Sequence, residues 1–130
     1  MGEAMTEAER KMVLKAQQGE LDAVLMYNAL AQVAEDSKDA ETFRQLASDE
    51  GRHASVFKEL SGQVLRAKRT KAILLPMLYK LVGKKRLYPL IAKGEYDAVK
   101  NYEPLVSRFP EVKSVQDDEQ RHGDTMLGLL

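Results

Sequence analysis

Apolar residues recur at helical spacing in four separate stretches of the chain. Val13, Ala16, Ala23, Tyr27 and Leu30 share one face of a first helix, and Phe43, Leu46, Phe57 and Leu60 share one face of a second. Leu87, Ile91, Ala98, Tyr102 and Leu105 form a third stripe, and Val112, Val115, Met126 and Leu129 a fourth. Polar residues sit inside these stripes where a core residue is expected. They are Glu20 in the first, Glu50 and His53 in the second, Glu95 in the third, and Glu119 and His122 in the fourth. The pattern predicts four amphipathic helices that all turn carboxylates or imidazoles toward one interior.

Turn signals divide the stripes. Asp36-Ser37-Lys38-Asp39 offers an N-cap between the first two helices, and Ser107-Arg108-Phe109-Pro110 breaks the chain between the last two. Each connection is short, so the expected units are antiparallel hairpins over about residues 7–60 and 87–130. The turns lie midway between the polar positions of each hairpin. At 1.5 Å rise per residue the polar residues stand about 22 Å from one turn and about 18 Å from the other, and so align across each hairpin. Residues of about 61–86, opened by Ser61-Gly62 and interrupted by Pro76 and Gly83, are too many for a tight turn and suit one long, partly helical crossover. An all-α, ferritin-like four-helix bundle built from residues 1–130 as one domain has this topology.

The two halves repeat each other. Gly19-Glu20-Leu21-Asp22-Ala23-Val24 with Tyr27 recurs as Gly94-Glu95-Tyr96-Asp97-Ala98-Val99 with Tyr102, and Asp49-Glu50-Gly51-Arg52-His53 recurs as Asp118-Glu119-Gln120-Arg121-His122. Both histidines of the protein belong to this repeat. Four carboxylates aimed into a core repel one another and are costly to desolvate unless cations accompany them. Two divalent ions would balance four Glu, and Glu-x-x-His places an oxygen and a nitrogen ligand one turn apart on the same face. A lone Glu-x-x-His is common on helix surfaces. Two of them, partnered by two stripe-facing Glu in duplicated contexts, point to a dinuclear site held by Glu20, Glu50, His53, Glu95, Glu119 and His122. The ligand types suit iron or manganese.

Around these six, Asp49 and Asp118 are placed to accept a hydrogen bond from the outer nitrogen of the opposite motif's histidine, or to pair with Arg52 and Arg121 on the helix surface. Tyr27 and Tyr102 lie two turns beyond Glu20 and Glu95. There a phenol either bonds a ligand carboxylate or supplies a proton to bound oxygen, unless it simply packs. Met26, Met77 and Met126 read as packing residues.

Charge and composition narrow the function. With no cysteine among 130 residues there is no thiolate metal site, disulfide or catalytic thiol. No apolar run approaches a membrane span and no export signal is evident, so a cytoplasmic location is expected. Met1-Gly2-Glu3-Ala4-Met5-Thr6 fits a loose myristoylation pattern, with nothing else pointing to a lipid anchor. Net charge is zero, yet residues 64–93 hold nine Lys/Arg and no Asp or Glu. This segment is either a solvated connection, a neutraliser of acidic helices in the same fold, or a contact for an acidic partner or membrane surface. Nucleic acid fits poorly, because the basic residues sit among Leu, Ile, Pro and Met rather than stacking aromatics.

From Gly19-Glu20 to Glu119-x-x-His122, the chain resembles the rubrerythrin branch of the ferritin-like diiron superfamily. The resemblance implies that Glu50 and Glu119 bridge or chelate two irons, that Glu20 and Glu95 are more terminal ligands, and that His53 and His122 cap one metal each. It also implies reduction of hydrogen peroxide or dioxygen, and a homodimer. Rubrerythrins usually carry a Cys-rich rubredoxin domain, so here electrons are expected from a separate donor protein. They usually place a further Glu one turn after the third-helix ligand, where this chain has Ala98. The string from Asp117 to Thr125 and the segment around Leu74-Leu75-Pro76 are also similar to the diiron hydroxylases of ubiquinone biosynthesis. Ferroxidase or iron handling is a further alternative that the same ligands would serve.

Overall fold

The structure is a computed structural model that describes residues 4–130. The first three residues of the loose myristoylation pattern therefore lie outside the described residues. Five helices follow in order: α1 (Glu7–Val33), α2 (Ser37–Ser61), α3 (Thr70–Val82), α4 (Lys84–Val106) and α5 (Val112–Gly128). No strand occurs among the described residues, and the fold is the expected all-helical, ferritin-like bundle.

Local chemistry sets the helix ends. Thr6 opens α1 with a capping box: its hydroxyl accepts from the Glu9 amide at 3.0 Å while the Glu9 carboxylate accepts from the Thr6 amide at 2.8 Å. Asp36 caps α2, accepting from the Lys38 amide at 2.7 Å. Gly62 ends α2 at φ 68°, a left-handed conformation that residues with a Cβ seldom adopt. Beyond Ser107 and the break at Pro110, the chain re-enters α5.

α1 pairs with α2 and α4 with α5 as two antiparallel hairpins. Two apolar clusters pack across them. One joins Met26, Tyr27 and Leu30 late in α1 to Leu87, Tyr88 and Ile91 early in α4. The other joins Val13 and Ala16 early in α1 to Tyr102 and Leu105 late in α4. α1 and α4 therefore run antiparallel, and the polar residues of all four stripes fall between the clusters.

The crossover runs back along α1. Gln17, buried, donates to the Gln63 carbonyl at 2.8 Å, Gln18 donates to the Arg66 carbonyl at 2.7 Å, and the Lys68 amide donates to the Asp22 carboxylate at 2.6 Å. Its helical part, α3, passes through Pro76 instead of stopping there. The loss of one backbone bond is offset by burial of Leu75 and Tyr79 against the core. Met77, expected to pack, lies on the outer face of α3 at 56% exposure, beside exposed Ile73 and Leu81. Of the nine cations between residues 64 and 93, Lys84 pairs with Asp39 and Lys93 with Asp97; no other ion pair of this segment occurs among the described residues. Neutralisation of acidic helices thus accounts for little of the basic segment. No helix of the described residues is long and apolar enough to cross a membrane.

Candidate metal centre

All six polar stripe residues meet at the centre of the bundle, each 6% exposed or less. One ligand atom from each of Glu20, Glu50, His53 and Glu119 lies within 4.8 Å of the others, and the same is true of Glu50, Glu95, Glu119 and His122. Glu50 and Glu119 belong to both groups. Helix periodicity explains the convergence: an i, i+3 pair on α2 and another on α5 face one Glu each from α1 and α4 at the same level. The two imidazoles lie near one another, with centroids 5.6 Å apart and planes 26° from parallel.

Each histidine turns Nδ1 inward and Nε2 outward. His53 Nδ1 lies 3.0 Å from Glu20 and 3.1 Å from Glu50, while His122 Nδ1 lies 3.2 Å from Glu50 and 3.1 Å from Glu119. The outer nitrogens cross the bundle: His53 Nε2–H donates to Asp118 and His122 Nε2–H to Asp49, both at 2.8 Å. A carboxylate can only accept, so Nε2 carries the proton and the inner nitrogen is the one free to ligate. The aspartates also pair with Arg52 and Arg121 on their own helices. The crossed hydrogen bond and the surface ion pair therefore coexist. Burial pushes Asp49 and Asp118 up, but hydrogen bonds from His122 and Arg52 to the first, and from His53 and Arg121 to the second, hold both below the usual carboxylate range.

The interior is electrostatically poised. Burial, reinforced by the Glu50 charge, pushes Glu20 well above the ordinary carboxylate range. Burial also raises Glu95 to about 7, against the opposing influence of the nearby His122 and the hydrogen bond from Tyr27. Burial would pull both imidazolium ions down, yet the surrounding carboxylates outweigh it: Glu119, Glu20 and Glu50 hold the His53 proton far above its normal range, and Glu119, Glu50 and Glu95 push His122 up to about 12. Glu119 Oε1 stands 3.2 and 3.1 Å from the two inner nitrogens without hydrogen-bond geometry. Glu119 Oε1, Glu95 Oε2 and His122 Nδ1 are buried with no hydrogen-bond partner among the described residues. Unsatisfied buried ligand atoms from a carboxylate and imidazole set fit a pair of divalent cations.

Tyr27 and Tyr102 part company. The Tyr27 hydroxyl donates across the hairpins to Glu95 at 2.5 Å. Burial, then the Glu95 and Glu50 charges, keep its phenol protonated. Tyr102 packs edge-on against Phe57, with no hydrogen bond from its hydroxyl among the described residues.

The approach to the site is not legible in the apolar stripes. A cavity of about 730 Å³ lies between α1 and α4 and reaches Glu20, Glu95, Glu50 and Glu119. Its signal was present in the repeat, where Gly19 and Gly94 each precede a ligand in mid-helix.

The sequence matches the family model described as Rubrerythrin over residues 11–130. A relative named reverse rubrerythrin-1, from Clostridium acetobutylicum, is 33% identical over 118 residues, which cover 86% of this chain and 60% of the relative. The chain thus spans about 60% of the length of that curated relative. No solved structure matches significantly.

Proposed function

Because the chain belongs to the rubrerythrin family, a family of non-haem iron proteins, we propose that it is a diiron oxidoreductase that reduces hydrogen peroxide or dioxygen with electrons from a separate donor. The observation that carries this reading is the pair of overlapping ligand groups sharing Glu50 and Glu119. In the proposal Glu20 and His53 complete one iron site, and Glu95 and His122 the other. Two ferrous ions would supply the two electrons that, with two protons, convert one hydrogen peroxide to two water molecules.

The chain's own residues prepare that chemistry. Asp118 and Asp49 fix the imidazole tautomers, so that both inner nitrogens are held toward the site. Tyr27 holds Glu95 in place and keeps a proton at its hydroxyl beside the centre. The groove between α1 and α4 admits small molecules to the carboxylates. With no cysteine in these 130 residues, electrons come from outside them, and the cations of residues 64–93, of which Lys84 and Lys93 alone form ion pairs among the described residues, suit a donor with an acidic face.

Anaerobic ferrous-loaded protein tests the reading. Added peroxide is expected to produce the ferric spectrum within seconds. Ferrous protein that survives both peroxide and oxygen unchanged for hours would rule the function out.

A further inference from the structure

The cavity over the metal centre is much larger than peroxide or dioxygen needs, and its volume of about 730 Å³ falls in the range of pockets for organic ligands. It extends from Met12 to Tyr27 along α1 and from Leu90 to Pro104 along α4, about 22 Å on the first helix and about 21 Å on the second. Gly19 and Gly94 line it where a Cβ would meet nothing within 4 Å. Packing does not demand these glycines, and glycine in mid-helix is unfavourable. Their effect is to keep the space open above Glu20 and Glu95.

The two ends differ. Because α1 and α4 run antiparallel, Lys15 and Lys100, each five residues from its helix's glutamate, stand at the same end. Both are exposed and neither makes an ion pair among the described residues. The opposite end is walled by Met26, Leu75, Leu90 and Ile91, with the exposed Lys71 one turn before Leu75 on α3. Two lysines face each other across the first end against one at the edge of the second, so an anion is attracted most at the Lys15–Lys100 end and repelled by the carboxylates midway, whereas the apolar wall of the far end fits an apolar chain.

We propose that this groove binds a long-chain carboxylate of the fatty-acid class, its head between Lys15 and Lys100 and its chain passing over Gly19 and Gly94 toward Leu75 and Ile91. The proposal goes beyond peroxide reduction and stands or falls by binding alone, without turnover.

Calorimetric titration of the iron-loaded protein with dodecanoate tests it. Saturable binding of one dodecanoate per chain is expected, with dodecyltrimethylammonium at least tenfold weaker. The double variant Gly19→Leu/Gly94→Leu should lose at least tenfold in affinity while keeping its helical circular dichroism and its iron content. If that variant does not fold, Lys15→Glu/Lys100→Glu, which changes two exposed residues, should show the same loss. Non-saturable uptake, equal affinity for the cationic amphiphile, or affinity unchanged in the folded variants would overturn the proposal. So would binding to anionic phospholipid vesicles without binding of monomeric dodecanoate, which would indicate adsorption through the basic segment. A dimer in sedimentation that excludes dodecanoate and dissociates in the leucine variant would assign the groove to a second copy instead, and would equally overturn it.

Discussion

Asp118 on α5 accepts the Nε2 proton of His53 on α2 at 2.8 Å, so each half of the repeat orients the imidazole of the other. Such outer partners of a metal-ligating histidine raise its basicity and lock its ring, and their loss typically lowers metal affinity about 10–100-fold. Asp118→Ala should weaken one metal by that factor, and Asp49→Ala the other, as read by chelator competition. Affinities equal to wild type would show that the crossed bonds do not support the site.

Removing ligands should separate shared from single roles. Glu50→Ala or Glu119→Ala is expected to abolish dinuclear binding, because each belongs to both ligand groups. Glu20→Ala or Glu95→Ala should leave one metal bound and weaken the other. Metal analysis after gel filtration distinguishes two, one and zero ions per chain. Two tightly held ions in Glu119→Ala would contradict the shared-ligand arrangement.

Metal-free stability and metal affinity should move oppositely with pH. The folded state holds protons that the unfolded chain releases: Glu95 is raised to about 7, Glu20 is raised, and His122 is pushed up to about 12. For the histidines the stabilisation is complete below about 6.5 and fades as pH rises toward the folded value; for the two glutamates the folded protein is favoured only while they stay protonated. The melting temperature of apo protein should therefore fall between about pH 6 and 9. Metal must displace the same protons, so the rise in melting temperature on adding metal should grow over that window, with protons released on binding. Scanning calorimetry of apo and loaded protein at three pH values checks both slopes; a metal effect independent of pH would contradict the assignment.

The repeat contains a matched substitution. A Cβ on Gly123 would run into the Tyr96 ring at Cε1, whereas the first half has Ala54 and Leu21 at the corresponding positions. Gly123→Ala must swing the Tyr96 ring away and break its hydrogen bond to Asp124, which should cost about 1–3 kcal/mol. Adding Tyr96→Leu should recover most of that loss in urea unfolding. An undiminished loss in the double variant would show that the ring is not the obstacle.

The two repeat tyrosines should behave differently. Tyr27→Phe removes the hydroxyl that bonds Glu95 and should slow peroxide reduction, while Tyr102→Phe should have little effect. Stopped-flow oxidation of ferrous protein compares them; equal rates in both variants would deny Tyr27 its role.

Much of this molecule is legible from local pattern. Helical period identified the four long helices, capping and turn residues placed the breaks near Asp36 and Pro110, and internal repetition singled out Glu20, Glu50, His53, Glu95, Glu119 and His122. These features depend on neighbours three or four positions apart in the chain, which helix geometry converts directly into a shared face. Features that depend on distances between helices were not legible in the same way. Pro76 reads as a break but lies inside α3, because Leu75 and Tyr79 pack firmly enough to override the lost backbone bond. Met77 reads as core and is exposed, since α3 has one covered face and is short. Tyr27 and Tyr102 are equivalent in the repeat, yet only Tyr27 is aimed at a carboxylate. The groove between α1 and α4 is likewise set by how far apart two helices settle, a spacing that no single stripe encodes.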